Sequence, residues 1–364
     1  MILNVQIQNF KSLRNVSIDL ERFTVFVGAN GSGKSSVLGA IHNAVRAATG
    51  NPQKVFAHER HGDWIYTRGG QGELSISCRT DKGEFSVRAI PPEGYPPAPE
   101  FLQKGLWDYH LSPPGQAMSV ALEPARKLVF LHMNAATMAL PSYVEEDPPR
   151  MEYTGEGLAS VLAFMALNDP TAFAELVRIA RTLIPRLQRI RFRKATVYKT
   201  KSELVKFGND TVERRNRQPY QGELILLDFD HAENVSARTA SEGTMLLLGL
   251  LTVLLGPTRP RILLLDDIEH GLHPLAQKQL VEVIGRIMQK FPDLQILATA
   301  HSPYLLNYLE PDQVRIMAVG SDGHSRCGRL SDHPKFKQWT EEMHPGELWS
   351  LFGENWLVQT GDAP

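Results

Sequence analysis

Eight consecutive residues, Gly28-Ala29-Asn30-Gly31-Ser32-Gly33-Lys34-Ser35, fit the pattern G-x-x-x-x-G-K-[ST]. That spacing suits one kind of chemistry, the binding of a phosphate chain. Glycines let backbone wrap closely around an anion, because they adopt positive φ without steric cost. Successive N–H groups and the N-terminus of the next helix then point at phosphate oxygens. Lys34 is expected to face solvent and to place a point charge on the β- and γ-phosphates. Ser35 is expected to hold Mg²⁺. The expected binding residues are Gly28, Asn30, Gly31, Ser32, Gly33, Lys34, Ser35 and Ser36.

A second cluster lies far downstream. Ile262-Leu263-Leu264-Leu265-Asp266-Asp267-Ile268-Glu269 is an apolar run ending in carboxylates. A buried parallel strand would deliver Asp266 to the Mg²⁺ beside Ser35. The next acid would orient the attacking water, because positioning does most of the work in phosphoryl transfer. Beyond the apolar stretch Leu294 to Thr299 comes Thr299-Ala300-His301-Ser302-Pro303, which sets an imidazole at the end of a strand. Ser241 and Gly243, in Ala240-Ser241-Glu242-Gly243-Thr244, precede the apolar run Met245 to Leu255. Taken alone, Ser241 reads as a helix N-cap. His270 and His273 lack the third ligand that a metal site needs.

The elements that must position these groups are legible in outline. Phe23 to Val27 reads as a buried strand entering the glycine-rich loop, and Ser36 to Ala48 as a helix closed by Gly50. Ile2 to Gln8 alternates as a strand, Asn9-Phe10-Lys11-Ser12-Leu13 turns, and Val16 to Leu20 returns. Glu73 to Cys78 and Glu84 to Arg88 flank Asp81-Lys82-Gly83 as a hairpin. Five prolines between Pro91 and Pro99 require a loop. Leu128 to His132 reads as a further strand, and Val314 to Val319 as the last of the core. Gly157 to Leu187 has helical periodicity, interrupted at Asn168-Asp169-Pro170. The tail from Gly346 to Trp356 reads as an amphipathic closing segment.

From Arg186 to Arg217 the chain carries eleven Lys or Arg against three Asp or Glu. Arg189, Arg191 and Arg193 alternate with Ile190 and Phe192, so a strand would put three guanidinium groups on one face. Two readings stay open: a surface for nucleic acid or an acidic partner, and a solvated sheet face.

Composition narrows the class. With 364 residues the chain can bury a large core. Its 42% hydrophobic and 22% charged content is ordinary for a globular protein. A net charge of −1 supplies no global field for nucleic acid, so any basic site must be local. The two cysteines, Cys78 and Cys327, do not indicate a disulfide framework, which points to the cytoplasm. Met1 to Phe10 does not read as a signal peptide. No apolar run is long enough to span a membrane.

Read together, Asn9-Phe10-Lys11-Ser12, the phosphate loop, Ser241-Glu242-Gly243, the Asp266-Asp267 strand, Gly271-Leu272-His273-Pro274 and Thr299 to Pro303 resemble the RecF/SMC/OLD branch of the ABC-type ATPases. The resemblance covers roughly 1–50 and 222–320 and implies an α/β fold. That fold has a mostly parallel core sheet, an antiparallel lobe and a helical and basic insertion. It divides the chain into 1–140, an N-terminal ATPase lobe; 141–221, the insertion; and 222–364, a C-terminal ATPase lobe. It implies ATP and Mg²⁺ as cofactors, and it implies Asp267 and His301 as catalytic, with Glu269 assisting. Asp267 stands where the family usually has Glu, which implies slow hydrolysis. Ser241 and Gly243 would contact the γ-phosphate of ATP held by a second copy, so that ATP joins a homodimer. Lys11 would approach the nucleotide or be a solvated turn lysine. The family's Mg²⁺-contacting glutamine has no match here, since Gln71 and Gln116 lie in the wrong context.

The chain runs about 45 residues past its last expected core strand, too few for the Toprim nuclease of OLD proteins. The expectation is therefore a stand-alone ATPase of a bacterial defence system whose effector is a separate protein. Two rivals are a RecF-type repair ATPase loading on DNA and a transporter's ATP-binding subunit. The Gly271 to Pro274 turn and the short Ser241 motif argue against the transporter.

Overall fold

Apolar runs without alternation become the buried middle of a six-stranded sheet, ordered β14-β13-β3-β12-β11-β7. These strands are β3 (Phe23–Gly28), β7 (Leu128–Leu131), β11 (Ile262–Leu265), β12 (Gln295–Thr299), β13 (Val314–Val319) and β14 (Ser325–Arg329). β11, β12, β3 and β13 run parallel in that sequence, and β14 closes the edge antiparallel to β13. Every residue of β3, β11 and β12 is buried. A strand covered on both faces cannot alternate, which is why these segments read as continuous apolar runs. This computed structural model describes residues 1–52, 55–56, 66–67, 70, 72–90, 108–207, 210–339 and 342–359, with side chains at these positions except 201–215 and 359. The loop expected from Pro91 to Pro99, and Gln71, lie outside the described residues.

A second sheet is antiparallel, ordered β2-β1-β4-β5-β6. It consists of β1 (Ile2–Phe10), β2 (Leu13–Asp19), β4 (Leu74–Thr80), β5 (Gly83–Ile90) and β6 (Asp108–Ser112). Here alternation is kept, as in the buried-exposed pattern of β4 and β5. Helix α1 (Lys34–Thr49) packs against strands of both sheets through Val37, Leu38, Ile41, Ala44 and Val45. Full burial of a Val, Leu or Ile side chain of this kind contributes about 1.5–3 kcal/mol. Gln295, at the start of β12, is polar yet fully buried. Its amide accepts from Ile2 N at 2.9 Å and donates to the Ile2 carbonyl at 2.7 Å and the Glu21 carbonyl at 3.0 Å. It thereby ties β1 to the parallel sheet.

The chain groups into two compact units. One comprises Met1–Phe130, Pro260–Glu269 and Leu280–Pro364; the other comprises Leu131–Arg259 and His270–Gln279. The second unit holds a three-stranded antiparallel sheet of β8 (Leu187–Phe207), β9 (Asp210–Phe229) and β10 (Ala232–Ser236). The Arg-rich alternation does form a strand, and that strand is 21 residues long. It pairs with β9 from Leu187↔Phe229 out to Phe207↔Asp210. Two helices, α2 (Leu158–Asn168) and α3 (Pro170–Leu183), precede it. The Asn168-Asp169-Pro170 break is their junction. Asp169 caps α3 by accepting from Ala172 N at 2.9 Å, and Pro170 takes the first helical position, where no N–H is needed. Helix α4 (Glu242–Leu255) is apolar all round and mostly buried. Among the described residues no helix is long and apolar enough to cross a membrane.

Candidate active site

β3 ends at Gly28 and α1 begins at Lys34, so the loop between them is set by the centre of the parallel sheet. Its glycines answer two different demands. Gly28 (φ 148°) lies against β13, where a Cβ would come within 2.1 Å of the Met317 carbonyl oxygen. Gly31 (φ 79°) has open space around it and is required for its backbone angle alone. Gly33 (φ 97°) does both, since a Cβ would meet Ser325 Oγ at 2.5 Å and Ser12 Oγ at 3.0 Å. Those two hydroxyls bond each other at 2.7 Å, and Ser325 N donates to the Ser12 carbonyl at 2.8 Å. The β1–β2 turn that carries Lys11 is thus pinned beside the loop. Lys11 Nζ lies 5.4 Å from the Phe10 ring centroid. Ala29, Asn30, Gly31 and Ser35 are exposed, Ser36 is half-buried, and Ser32 and Gly33 are buried.

Lys34 does not face solvent as expected. It is only 5% exposed, and its Nζ donates to the carbonyls of Gly28 at 2.9 Å and Ala29 at 3.0 Å. An ammonium cannot lie bare in a loop this tight, so it takes the acceptors the loop offers. Burial pulls its pKa down, while the carboxylates of Asp267, Asp266, Glu269 and Glu354 hold it up. Glu354 belongs to the tail segment and accepts from Trp349 Nε1 at 3.2 Å.

Parallel pairing of β11 with β12 carries the acids to the same end of the sheet as the loop. Ser35 Oγ donates to Asp266 Oδ1 at 2.8 Å. Thr299 Oγ1, at the end of β12, lies 2.6 Å from that same oxygen and 3.3 Å from Asp267 Oδ1. Asp267 N donates to Thr299 Oγ1 at 2.8 Å. His301 Nε2 is 3.5 Å from Asp267 Oδ1. Glu269 is 9% exposed; one carboxylate oxygen accepts from His301 N and the other has no partner among the described residues. Burial raises the Glu269 pKa, and the His301 N–H opposes that rise. Asp267 has φ 56°, a left-handed conformation that Asp tolerates better than most residues.

The structure therefore brings together Gly28 to Ser36, Asp266, Asp267, Glu269 and His301, all within one compact unit. Sequence reasoning missed Thr299 as part of the site; it reads as the last residue of an apolar strand. The oxygens of Ser35 and Asp266 are hard donors suited to Mg²⁺. Among the described residues no cluster of three or more His, Cys, Asp or Glu is placed to hold a metal ion. A cation here would complete its shell with phosphate and water oxygens, as Mg²⁺ does.

Ser241 and Gly243 lie in the other unit. Ser241 is the N-cap of α4: its Oγ accepts from Thr244 N at 3.2 Å and lies 2.8 Å from Thr244 Oγ1. Gly243 is required by packing. A Cβ there would meet the Gly271 carbonyl at 2.8 Å. Gly271 (φ 67°) in turn sits over Glu242, whose carboxylate lies 3.2 Å from His270 Nε2. The Gly271 to Pro274 turn and the Ser241 turn are therefore built against each other.

Of the three alternating arginines, Arg191 is occupied. It lies 2.6 Å from Asp228, whose side chain is 7% exposed, and 3.9 Å from Glu233. Arg189 and Arg193 are exposed.

Comparison with known proteins matches residues 125–307, half of the chain, to the family model "AAA domain, putative AbiEii toxin, Type IV TA system". Residues 1–68 match an "AAA ATPase domain" model. Septu protein PtuA of Bacillus mycoides (strain KBAB4) is 22% identical over 345 residues, covering 87% of this chain and 40% of that protein. The DNA replication and repair protein RecF of Chlorobium luteolum is 33% identical over 91 residues, 22% of this chain and 25% of that protein. The RecF of Salmonella paratyphi A is 36% identical over 98 residues, 24% and 27% respectively. The chain thus spans well under half the length of these relatives. Among solved structures, an SMC head bound to the C-winged helix domain of ScpA aligns with TM-score 0.57 and 17% identity, covering 92% of this chain and 99% of that one. An SMC head with an extended coiled coil, bound to the C-terminal domain of ScpA derived from Pyrococcus furiosus, aligns with TM-score 0.56 and 15% identity, covering 93% and 98%.

Proposed function

The chain belongs to the AAA-domain ATPase family of that half-chain model and has the fold of an SMC head, and from this premise we propose that it binds Mg-ATP and hydrolyses it slowly. The observation that carries the reading is the continuous hydrogen-bonded path Ser35–Asp266–Thr299–Asp267, with His301 at its end. In this reading the loop N–H groups and Lys34 bind the phosphates. Lys34 exchanges its two loop carbonyls for phosphate oxygens when ATP enters. Ser35 and Asp266 hold Mg²⁺, which when bound offsets charge building on the phosphates. Asp267 orients water, and His301 contacts the γ-phosphate beside it. Phosphate release by the wild-type protein and by Lys34→Ala tests the assignment; a fully active Lys34→Ala protein overturns it.

We further propose a homodimer closed around ATP, in which Ser241 and Gly243 of one copy face the nucleotide held by the other. The chain would act in the cytoplasm as a sensor or regulator of a bacterial defence system, with a separate effector, a nuclease for instance. The likeness to PtuA over most of this chain and the "Type IV TA system" of the family description support that reading. Nucleic acid or an acidic partner would be met at Arg189 and Arg193, with Arg191 already committed to Asp228. The RecF matches favour a second reading, a DNA repair ATPase. Proteins that co-purify with the chain separate the two: an effector supports the first, whereas ATP-dependent retention on DNA ends without one supports the second.

A further inference from the structure

We propose that Thr299 is a positioning residue that sets Asp266 and Asp267 as one unit, so that the Mg²⁺-holding acid and the water-orienting acid are placed together; this rests on reading the site as an ATP site.

A threonine at the end of a buried strand is ordinarily a satisfied core residue. Its hydroxyl bonds a nearby backbone carbonyl and its methyl fills space. Thr299 is fully buried, but its hydroxyl is spent differently. A hydroxyl has one proton and two lone pairs. The 2.6 Å approach to Asp266 Oδ1 assigns the proton to that carboxylate, with Asp267 Oδ1 further away at 3.3 Å. A lone pair accepts the Asp267 N–H at 2.8 Å. One atom therefore holds the side chain of one acid and the backbone of the next. The Thr299 carbonyl continues the clamp by accepting Ile268 N at 3.0 Å.

Two features give this clamp consequences. Asp267 sits at φ 56°, where backbone is held only if its surroundings fix it, and the Asp267 N–H is one of the groups that fixes it. Asp266 Oδ1 also accepts from Ser35, so the hydroxyl of Thr299 sets the direction of the oxygen that Ser35 reaches. The position of Thr299 is fixed from behind. β12 pairs with β11 at Leu264↔Leu297 and Leu265↔Ala298, which brings Thr299 level with the first acid.

The test compares Thr299→Val, which keeps the shape and the methyl but loses the oxygen, with Thr299→Ser, which keeps the oxygen and loses the methyl. Binding of a fluorescent ATP analogue is titrated with Mg²⁺ and with a chelator in its place, and steady-state turnover is measured alongside. Thr299→Val should bind the analogue without Mg²⁺ as the wild type does and should lose the gain in affinity that Mg²⁺ brings. Its kcat should fall about 10–100-fold, the range seen when a partner that orients a metal ligand is removed, with KM little changed. Thr299→Ser should keep the Mg²⁺ response and most of the turnover. If Thr299→Val melts without a cooperative transition, Thr299→Ala carries the same comparison. A wild-type Mg²⁺ response in the oxygen-less variant overturns the proposal, as does equal damage from serine and valine, which would make the role one of packing. Failure of the wild-type chain to bind the analogue at all overturns instead the ATP-site reading beneath it.

Discussion

The phosphate loop and the Ser241 turn are both helix N-termini with glycine and serine, yet their hydrogen bonds are spent in opposite ways. Gly33 caps α1 without a side chain, so the cap residue supplies no acceptor to the first N–H groups of that helix. The side chain of Ser35 instead reaches an acid 231 residues away. Ser241 spends its hydroxyl on its own helix, and Gly243 makes room for the Gly271 turn. One terminus is thus left open for an anion, while the other is already satisfied. A phosphate contact from Ser241 must therefore displace or share a cap. For this reason a Ser241 substitution costs about 1 kcal/mol of stability whatever its role in assembly. Nucleotide binding by the same variant is the necessary control.

The largest effect expected is at the open terminus. Lys34→Ala should lower phosphate release by at least about 100-fold, as losing electrostatic stabilisation of a transferring phosphoryl group does, and should keep a cooperative melt. Next comes Asp267. Asp267→Asn should cut turnover by about 100-fold or more, the contribution of a positioned acid or base. Asp267→Glu should match or exceed the wild-type rate, although the left-handed backbone at this position favours the shorter acid. Should Asp267→Asn keep full activity while Glu269→Gln is inactive, the water-orienting acid is Glu269.

Two glycines sharpen the comparison through stability. Gly243→Ala drives a Cβ to 2.8 Å from a backbone carbonyl and should cost about 1–3 kcal/mol by overpacking. Gly31→Ala has free space and should cost about 1–2 kcal/mol, from its positive φ alone. Urea denaturation measures both. A neutral Gly243→Ala would mean that the two turns of the second unit are not built against each other.

On the basic strand, neutralising Arg189 and Arg193 together should weaken binding of nucleic acid and flatten its salt dependence without affecting folding. Adding Arg191→Ala should destabilise the fold as well, because Asp228 loses its ion pair and keeps the Asn234 N–H at 2.8 Å. Unchanged DNA binding in the Arg189/Arg193 variant across salt concentrations would leave the strand a solvated face.

The smallest effect is electrostatic. The folded-state pKa of Glu269 lies above its ordinary value of 4.5, chiefly through burial. Folding therefore favours its protonated form, and that contribution, full below 4.5, is lost as pH rises through the raised pKa. Glu269→Gln, which can still accept the His301 N–H, should be more stable than the wild type at neutral pH, with the gap closing in acid. Thermal melts across pH report this.

Contiguous signals were legible in the sequence. The loop from Gly28 to Ser35 and the run from Ile262 to Glu269 declare themselves because the chemistry and the element that carries it are adjacent in the chain. Apolar runs and alternation marked individual strands and the hairpin at Glu73 to Arg88; the mostly parallel sheet and the antiparallel lobe were what the family resemblance implied. What escaped was long-range. Thr299 finds its partners 32 and 33 residues back, and nothing in Gln295 to Thr299 marks a hydroxyl as different from core. Lys34 was expected in solvent, but the loop folds its own carbonyls around the ammonium. Gln295 lay unremarked inside the apolar stretch Leu294 to Thr299, and its use as a bridge between sheets depends on Ile2, 293 residues away. Gly243 suggested an anion turn, while its immediate constraint is the Gly271 carbonyl. The arginine alternation gave the strand at 189–193 but not its length, which is set by pairing with β9.

In the proposed dimer, the open terminus of one chain and the capped turn of another complete a single ATP site. Light scattering on Asp267→Asn, with and without ATP and Mg²⁺, tests it most directly, with crosslinking at the Ser241 turn reporting closure if the protein is already oligomeric. Doubling of mass or closure is expected only with ATP and Mg²⁺, and it is expected to be lost in Asp267→Asn/Ser241→Arg although that variant still binds nucleotide. Assembly independent of nucleotide, or unaffected by Ser241→Arg, would contradict it.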